Sequence, residues 1–194
     1  KMSACSSITS NISISCSNPL KAGVVATFLL GNIEDVDTLT IDGTNPTLAT
    51  GLTMLTGKKM FEIQGQLLST APKTGAVIGK YANQYEHELQ FLVFANDPAT
   101  KKVINALTNA DVFALITNKN TGTAGNAKYE LYGAVSGLKL SAYERDPNNT
   151  ENLGAHVITL KSAEYAREAS VPLTLYDTHS ATTEAIVDAL KVVA

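Results

Sequence analysis

The sequence contains no tryptophan and has few cysteines, histidines and prolines for its 194 residues. Sugar-binding modules rely on large, flat, exposed aromatic rings, so the absence of tryptophan disfavours a carbohydrate-binding role. The two cysteines, Cys5 and Cys16, lie in a Ser/Asn-rich segment near the N-terminus. A disulfide and two free thiols both remain open for this pair, since nothing else in the sequence indicates an oxidising compartment.

Clustered charge is also lacking. Lys and Arg total 15 and Asp and Glu total 18, which gives a formal net charge of −3, and the acidic residues are scattered along the chain. The paired lysines are Lys58-Lys59 and Lys101-Lys102. A nucleic-acid-binding protein normally carries a basic patch that neutralises phosphates, and two short pairs do not form one. We therefore expect no specific binding of DNA or RNA.

The sequence has no hydrophobic run long enough to span a membrane. Its longest apolar stretch, residues 22–30, is about half the length that a transmembrane helix requires. The N-terminal residues lack the basic and then apolar layout of a signal peptide, although a mature form would have lost one. We therefore expect no membrane partner.

Sequence motifs that carry chemistry fail on their spacing. Gly51–Lys58 is similar to a phosphate-binding loop, but five residues rather than four separate its glycines, and Lys59 stands where a Ser or Thr would hold magnesium. Ser136 lacks the two flanking glycines of a hydrolase nucleophile elbow. The three histidines lie far apart, without Cys or carboxylate residues at ligand spacing. We expect no catalytic residues, no metal site and no bound cofactor.

What the sequence does contain is a series of runs in which apolar and polar residues alternate, as is typical of β-strands. We predict an extended N-terminal arm over residues 1–20 and a single β-sandwich domain over residues 21–194. Within the arm, Ile8, Ile12 and Ile14 alternate weakly. A segment of this kind forms a strand once it meets a partner edge.

The alternation is clearest over residues 59–68 and residues 85–94. In both runs, apolar side chains occupy one side and polar side chains the other. We predict that the polar sides belong to two neighbouring strands and form one surface, with an ordinary solvated outer face as the alternative to a functional one. This polar surface consists of Glu62, Gln64, Gln66, Glu86, Glu88 and Gln90.

One helix is well marked in the sequence. Asp97 is suited to cap its first turn, and Pro98 fits the first helical position. Val103, Ile104 and Leu107 then share one helical face. A second helical pattern ends the chain, and about eight strands account for the rest. The sequence therefore predicts an antiparallel β-sandwich or barrel with one flanking α-helix and a C-terminal helix.

The longest connection between two well-patterned strands covers residues 69–84, which we predict to be a loop. Its apolar residues Val77, Ile78 and Tyr81 would be poorly placed in water. We therefore predict that these three side chains contact a neighbouring subunit. A loop folded back on its own core is the alternative.

The order of the elements resembles that of a known family. A short capped helix leads directly into an apolar strand over residues 97–117, followed by YELYGAVSGLKL over residues 129–140, a polar loop and the strand GAHVITLKS. The early CSNPLKAGV segment, the IDGTNP turn and the closing TTEAIVDALK helix fit the same pattern. In this order the chain resembles the tail-tube proteins of long-tailed phages, particularly those that infect Bacteroidetes bacteria.

This resemblance implies a virion structural protein without an active site. Six copies would close into a ring, and stacked rings would form a hollow tube through which DNA passes during ejection without being bound specifically. The polar surface defined above is then the candidate lumen, and Val77, Ile78 and Tyr81 would contact the next ring. The resemblance further implies assembly in the host cytoplasm, a place in the virion tail, and contacts with other tail or connector proteins.

Two other classes of function remain open. One is another virion component, such as a capsid decoration protein or a head–tail connector protein. The other is an exported bacterial β-sandwich that binds a glycan or a protein. A tube subunit forms open-ended polymers, whereas an exported module stays monomeric and has a precursor with a signal peptide.

Overall fold

The structure of this chain, a computed structural model, describes residue 12, residues 21–80 and residues 82–192. The predicted arm, apart from Ile12, and Tyr81 lie outside these residues. The described chain is mainly β with two α-helices, which confirms the predicted fold class, although it has eleven strands rather than about eight. The strands are β1 (Phe28–Asn32), β2 (Val36–Ile41), β3 (Leu48–Met54), β4 (Phe61–Ile63), β5 (Thr70–Ile78), β6 (Asn83–Val93), β7 (Val112–Thr117), β8 (Tyr129–Tyr132), β9 (Lys139–Glu144), β10 (His156–Lys161) and β11 (Leu173–Leu175), and the helices are α1 (Pro98–Ala106) and α2 (Ser180–Leu190).

Seven strands form one curled sheet in the order β2-β3-β11-β8-β7-β1-β4. Its neighbouring strands are antiparallel except for β3 and β11, which pair in parallel through Leu48 with Thr174 and Ala49 with Leu175. The prediction of a wholly antiparallel architecture is therefore wrong at this one pair. It rested on short connections between strands, whereas β3 and β11 lie far apart in the chain, and a long connection permits parallel pairing.

The other four strands form a second sheet in the order β5-β6-β10-β9, with antiparallel pairing throughout. One face of this sheet packs on the larger sheet. Leu89 and Phe91 of β6 and Ile158 and Leu160 of β10 are fully buried on that face. The opposite face carries the polar residues of the same strands.

Side-chain alternation divides the larger sheet between two hydrophobic cores. On β1, Phe28 and Leu30 pack into the core between the two sheets, whereas Leu29 packs into a second core on the opposite face. On β7, every residue from Val112 to Ile116 is buried. Both faces of these strands are covered, which is why their sequences are continuous apolar runs rather than alternating ones.

Each helix closes one of the two cores. Ile104 of α1 and the adjoining Leu107 pack into the core between the sheets. Val187 and Leu190 of α2 pack into the second core. The predicted start of α1 is confirmed, since the Asp97 carboxylate accepts hydrogen bonds from the Ala99 and Thr100 amides at 2.9 and 3.0 Å. The sequence pattern groups Val103 with Ile104 and Leu107 on one helical face, but Val103 is 53% exposed.

The strand predicted over residues 59–68 is much shorter than its pattern indicates. Only β4 forms there, and Phe61 and Leu67, expected on a buried face, are 56% and 74% exposed. Gly65 explains why the strand ends. A Cβ atom at this position would lie 2.7 Å from the Ala26 carbonyl oxygen and 2.3 Å from the Ser69 hydroxyl, so the backbones approach too closely for another residue.

The loop predicted over residues 69–84 is instead a β-hairpin. Strand β5 pairs with β6 over its whole length, from Thr70 opposite Phe91 to Ile78 opposite Asn83. Proline and glycine within β5 hid this strand from pattern analysis. An edge strand tolerates both residues because one of its sides does not need to donate hydrogen bonds.

The two faces of α1 give a direct test of the packing. Leu107→Ala should lower the free energy of unfolding by about 2–5 kcal/mol, because it removes a buried side chain from the core. Val103→Ala, on the exposed face of the same helix, should change it by less than about 0.5 kcal/mol. Urea denaturation of both variants measures the difference. Equal effects would contradict the position of the helix.

The cap of α1 gives a second test. Asp97→Ala should shift the urea midpoint downward, because the Ala99 and Thr100 amides lose their acceptor. Asp97→Asn is the matched control, since asparagine caps helices about as well as aspartate. A midpoint lowered equally by both variants would show that charge rather than capping matters at this position.

Candidate functional site

The outer face of the four-stranded sheet carries a row of charged residues. Lys73 of β5, Glu88 of β6, Lys161 of β10 and Lys139 of β9 lie opposite one another in the strand register. Lys139 pairs with Asp111, which lies outside this sheet, at 3.1 Å. The Lys73 Nζ lies 3.3 Å from Glu88 Oε1, and the Lys161 Nζ lies 3.0 Å from Glu86 Oε1 and 4.0 Å from Glu88 Oε2. The next row consists of the small or uncharged side chains Ala71, Gln90, Thr159 and Ala142. This face is therefore polar, but its charges compensate one another.

Only part of the predicted polar surface lies on this face. Glu86, Glu88 and Gln90 point outward from β6, since the residues between them are buried. Glu62 belongs to β4 in the other sheet, and Gln64 and Gln66 lie in the connection between β4 and β5. The prediction that all six residues share two neighbouring strands is therefore wrong. Similar alternation in two runs does not place them in one sheet, because pairing depends on long-range contacts.

Within the described residues, the four-stranded sheet has two open edges. Among the described strands, β5 pairs only with β6, and β9 pairs only with β10. An edge strand presents a row of backbone amide and carbonyl groups to which another chain can add. Pro72 and Lys73 protect the first half of β5 against such pairing, but the second half, Thr74–Ile78, contains neither proline nor charge. This second half is the edge best suited to intermolecular pairing.

The end of the β5–β6 hairpin is exposed. The Gly79 amide donates to the Ala82 carbonyl oxygen at 3.1 Å and closes the turn. Ile78 is 76% exposed, and Val77 is half-buried. Ile78 is therefore not covered by the described part of its own chain. Whether a neighbouring subunit covers it remains a prediction, and the same prediction for Tyr81 falls outside the described residues.

A second apolar opening lies between α1 and the edge strand β4. Two adjoining cavities of about 450 and 310 Å³ share Leu30, Ile63 and Leu107 among their lining residues. Phe61 and Val103, both more than half exposed, stand beside this groove. No local pattern predicts the groove, because it arises between a helix and a strand from different parts of the chain.

A buried histidine joins the two sheets. His87 is 2% exposed on β6, and its Nδ1 accepts a hydrogen bond from the Gly133 amide at 3.1 Å. Because Nδ1 accepts, Nε2 carries the proton and lies 3.1 Å from the Ser170 carbonyl oxygen. Both ring nitrogens thus hold backbone groups and neither is free to act as a catalytic base.

Glu168 reinforces this junction from the other side. Its buried carboxylate accepts hydrogen bonds from the Val135 and Ser136 amides at 3.2 and 2.9 Å. Its backbone also forms a two-way bridge with Tyr85 on β6. Burial lowers the pKa of His87, although the negative charge of Glu168 and the bond to Ser170 partly oppose this change. His87 is therefore neutral in the folded protein at neutral pH.

Two further searches of the described residues concern metals and membranes. No group of three or more His, Cys, Asp or Glu side chains within residues 21–80 and 82–192 is placed to hold a metal ion. Neither of the two helices in that part of the chain has the length and apolar character needed to cross a membrane.

Comparison with known proteins indicates no function, so a functional hypothesis must come mainly from the geometry. No protein-family model matches this sequence. No curated protein is significantly similar to it.

The junction around His87 should make the fold sensitive to acid. The pKa of His87 is lowered on folding, so the unfolded chain binds a proton more readily, and stability falls as pH decreases from about 6.5 toward the folded value. Urea denaturation of wild type between about pH 7 and pH 5 should show this loss of stability. In His87→Gln, the free energy of unfolding should depend less on pH over the same range.

His156→Gln is the comparison variant for this measurement. Burial also lowers the pKa of this second buried histidine, which lies outside the Gly133 junction, so this variant should remove a separate part of the loss. The same pH dependence in wild type and His87→Gln would contradict the account. If only His156→Gln reduces the pH dependence of stability, the acid sensitivity comes from His156 and not from His87.

Proposed function

We propose that this chain is a structural subunit that assembles with copies of itself through the two open edges of its four-stranded sheet. The observation that carries the proposal is the unprotected edge Thr74–Ile78, which ends in the exposed Ile78. An exposed edge without charge or proline is a pairing site that a monomeric protein normally protects. A second copy of the same chain is the partner that such an edge fits.

Strand direction favours a ring as the form of this assembly. Neighbours in the order β5-β6-β10-β9 are antiparallel, so β5 and β9 run in opposite directions at the two edges. Pairing of β9 in one copy with β5 in the next therefore continues the antiparallel pattern. Such head-to-tail contacts close into a ring when the rotation between copies permits it.

A ring of this kind would turn a defined face toward its bore. One face of the four-stranded sheet is covered by the core between the sheets, so the other face, with Lys73, Glu88 and Lys161, is available to line a channel. The lysines on this face pair with carboxylates and the next row is small or uncharged, so the face offers no continuous positive surface that would hold DNA phosphates. This arrangement suits a conduit through which DNA slides.

These features, together with the resemblance in element order, lead us to propose a phage tail tube of stacked hexameric rings. In this proposal the chain has no catalytic role, and the hairpin end with Val77 and Ile78 contacts the next ring. Other tail or connector proteins would be its partners, and DNA would pass without specific binding. The protein would assemble in the host cytoplasm and reside in the virion tail.

A second candidate is a monomeric binding module. The groove between α1 and β4 favours it, because an apolar opening of several hundred Å³ is the usual form of a ligand site. The two functions differ in assembly state, since only the tube subunit must polymerise. Other virion components would form closed shells or single rings rather than open-ended tubes.

Assembly through the β5 edge is testable with a charge placed on it. The purified protein should form rings or tubes by light scattering and negative-stain microscopy. Ile78→Lys should abolish them without changing the thermal melt, because an edge lysine opposes strand pairing. Val135→Lys, another exposed apolar residue outside the four-stranded sheet, is the matched control. A wild-type protein that stays monomeric at every concentration and salt condition would refute the proposal.

The face toward the bore is testable by reversing its charge. Glu86→Lys combined with Glu88→Lys would join Lys73 and Lys161 in a continuous positive patch, and tubes of this variant should retain double-stranded DNA on a filter. Glu62→Lys, in the other sheet, should leave DNA retention at the wild-type level. Equal retention by both variants would show that this face does not line the channel.

A further inference from the structure

His156, at the start of β10, has one partner and one orphaned nitrogen. Its ring is 2% exposed, and Nδ1 lies 2.9 Å from the hydroxyl of Tyr143 on β9. Its Nε2 atom is buried and has no hydrogen-bond partner in the described residues. A buried polar atom without a partner costs about 1–3 kcal/mol, so native proteins rarely leave one without water or a ligand.

A cavity of about 230 Å³ adjoins this ring. One wall is a single face of α1 and its C-terminal turn, since Lys101, Asn105 and Thr108 follow helical spacing. Tyr143 of β9 and His156 of β10 also line the cavity, together with the apolar side chains of Ile104 and Leu140. The volume is several times the roughly 30 Å³ that one water occupies in the liquid, so the cavity has room for a small polyatomic ligand.

The electrostatic surroundings of the ring are positive. Burial lowers the pKa of His156, and the positive charges of Arg145 and Lys101 lower it further. Arg145 lies just beyond β9, and Lys101 lies on α1, so cations approach the ring from two different elements. The groups that line the cavity add the Asn105 amide and the Thr108 hydroxyl, which can donate hydrogen bonds, while the Tyr143 hydroxyl is engaged with His156 Nδ1.

We propose that this cavity binds a small oxyanion, either a phosphate ion or a carboxylate group, between Lys101 and His156. With the Tyr143 hydroxyl donating to Nδ1, Nε2 carries the proton and donates to the anion. Lys101 supplies the charge partner, and Asn105 and Thr108 supply further donors from the same helical face. Free phosphate and a carboxylate of a second copy present the same chemistry to these groups.

The three histidines allow a site-specific test by NMR. In dilute full-length protein, replacing chloride by phosphate at constant ionic strength should raise the pKa of His156, because a bound anion stabilises the imidazolium. The resonances of buried His87 serve as the internal control. Binding of phosphate, measured from the His156 shift, should weaken about tenfold in Lys101→Gln, the loss expected for one hydrogen bond to a charged group.

Lys102→Gln is the matched control, since this exposed neighbour on α1 does not line the cavity. A rise in the His156 pKa with protein concentration, without phosphate, would identify the carboxylate of a second copy as the ligand. If neither phosphate nor protein concentration moves the pKa of His156, the inference is wrong. It is also wrong if Lys101→Gln and Lys102→Gln weaken the response equally, since that result indicates nonspecific attraction.

Discussion

The fold depends on the burial of both faces of β1 and β7, which are neighbouring strands in the seven-stranded sheet. Every residue from Val112 to Ile116 is buried, and successive side chains enter different cores. A strand of this kind must be covered twice, which requires a second sheet on one face and α2 on the other. A polar side chain introduced at any position from Val112 to Ile116 would therefore be buried in one core or the other.

The asymmetry between the two sheets follows from this constraint. The larger sheet is covered on both sides at β1 and β7, whereas the four-stranded sheet is covered on one side only and keeps a polar outer face. Its edge strands are β5 and β9, and the end of the β5–β6 hairpin is exposed. The features that support assembly are thus those that the packing of the cores leaves unused, while the junction at His87 fixes the two sheets to each other.

Local signals predicted the elements whose structure depends on nearby residues. The carboxylate of Asp97 caps α1 as expected, and the apolar strand predicted after this helix forms as Val112–Thr117. Strand β5 was missed, because its proline and glycine are tolerated only through its position at an edge, which the sequence does not reveal. The cavity beside His156 was equally hidden, since it joins Lys101 on α1 to His156 on β10 and exists only once the chain has folded.

Backbone pairing at the open edges of the four-stranded sheet is the central claim, and amide hydrogen exchange measures it directly. Exchange should be compared between dilute and concentrated protein, residue by residue. The account predicts that the amides of Thr74–Ile78 and of β9 become protected on concentration, while those of β2, one edge of the larger sheet, do not change. Protection that appears at β2 instead, or no new protection at β5 and β9 in an assembled sample, would contradict it.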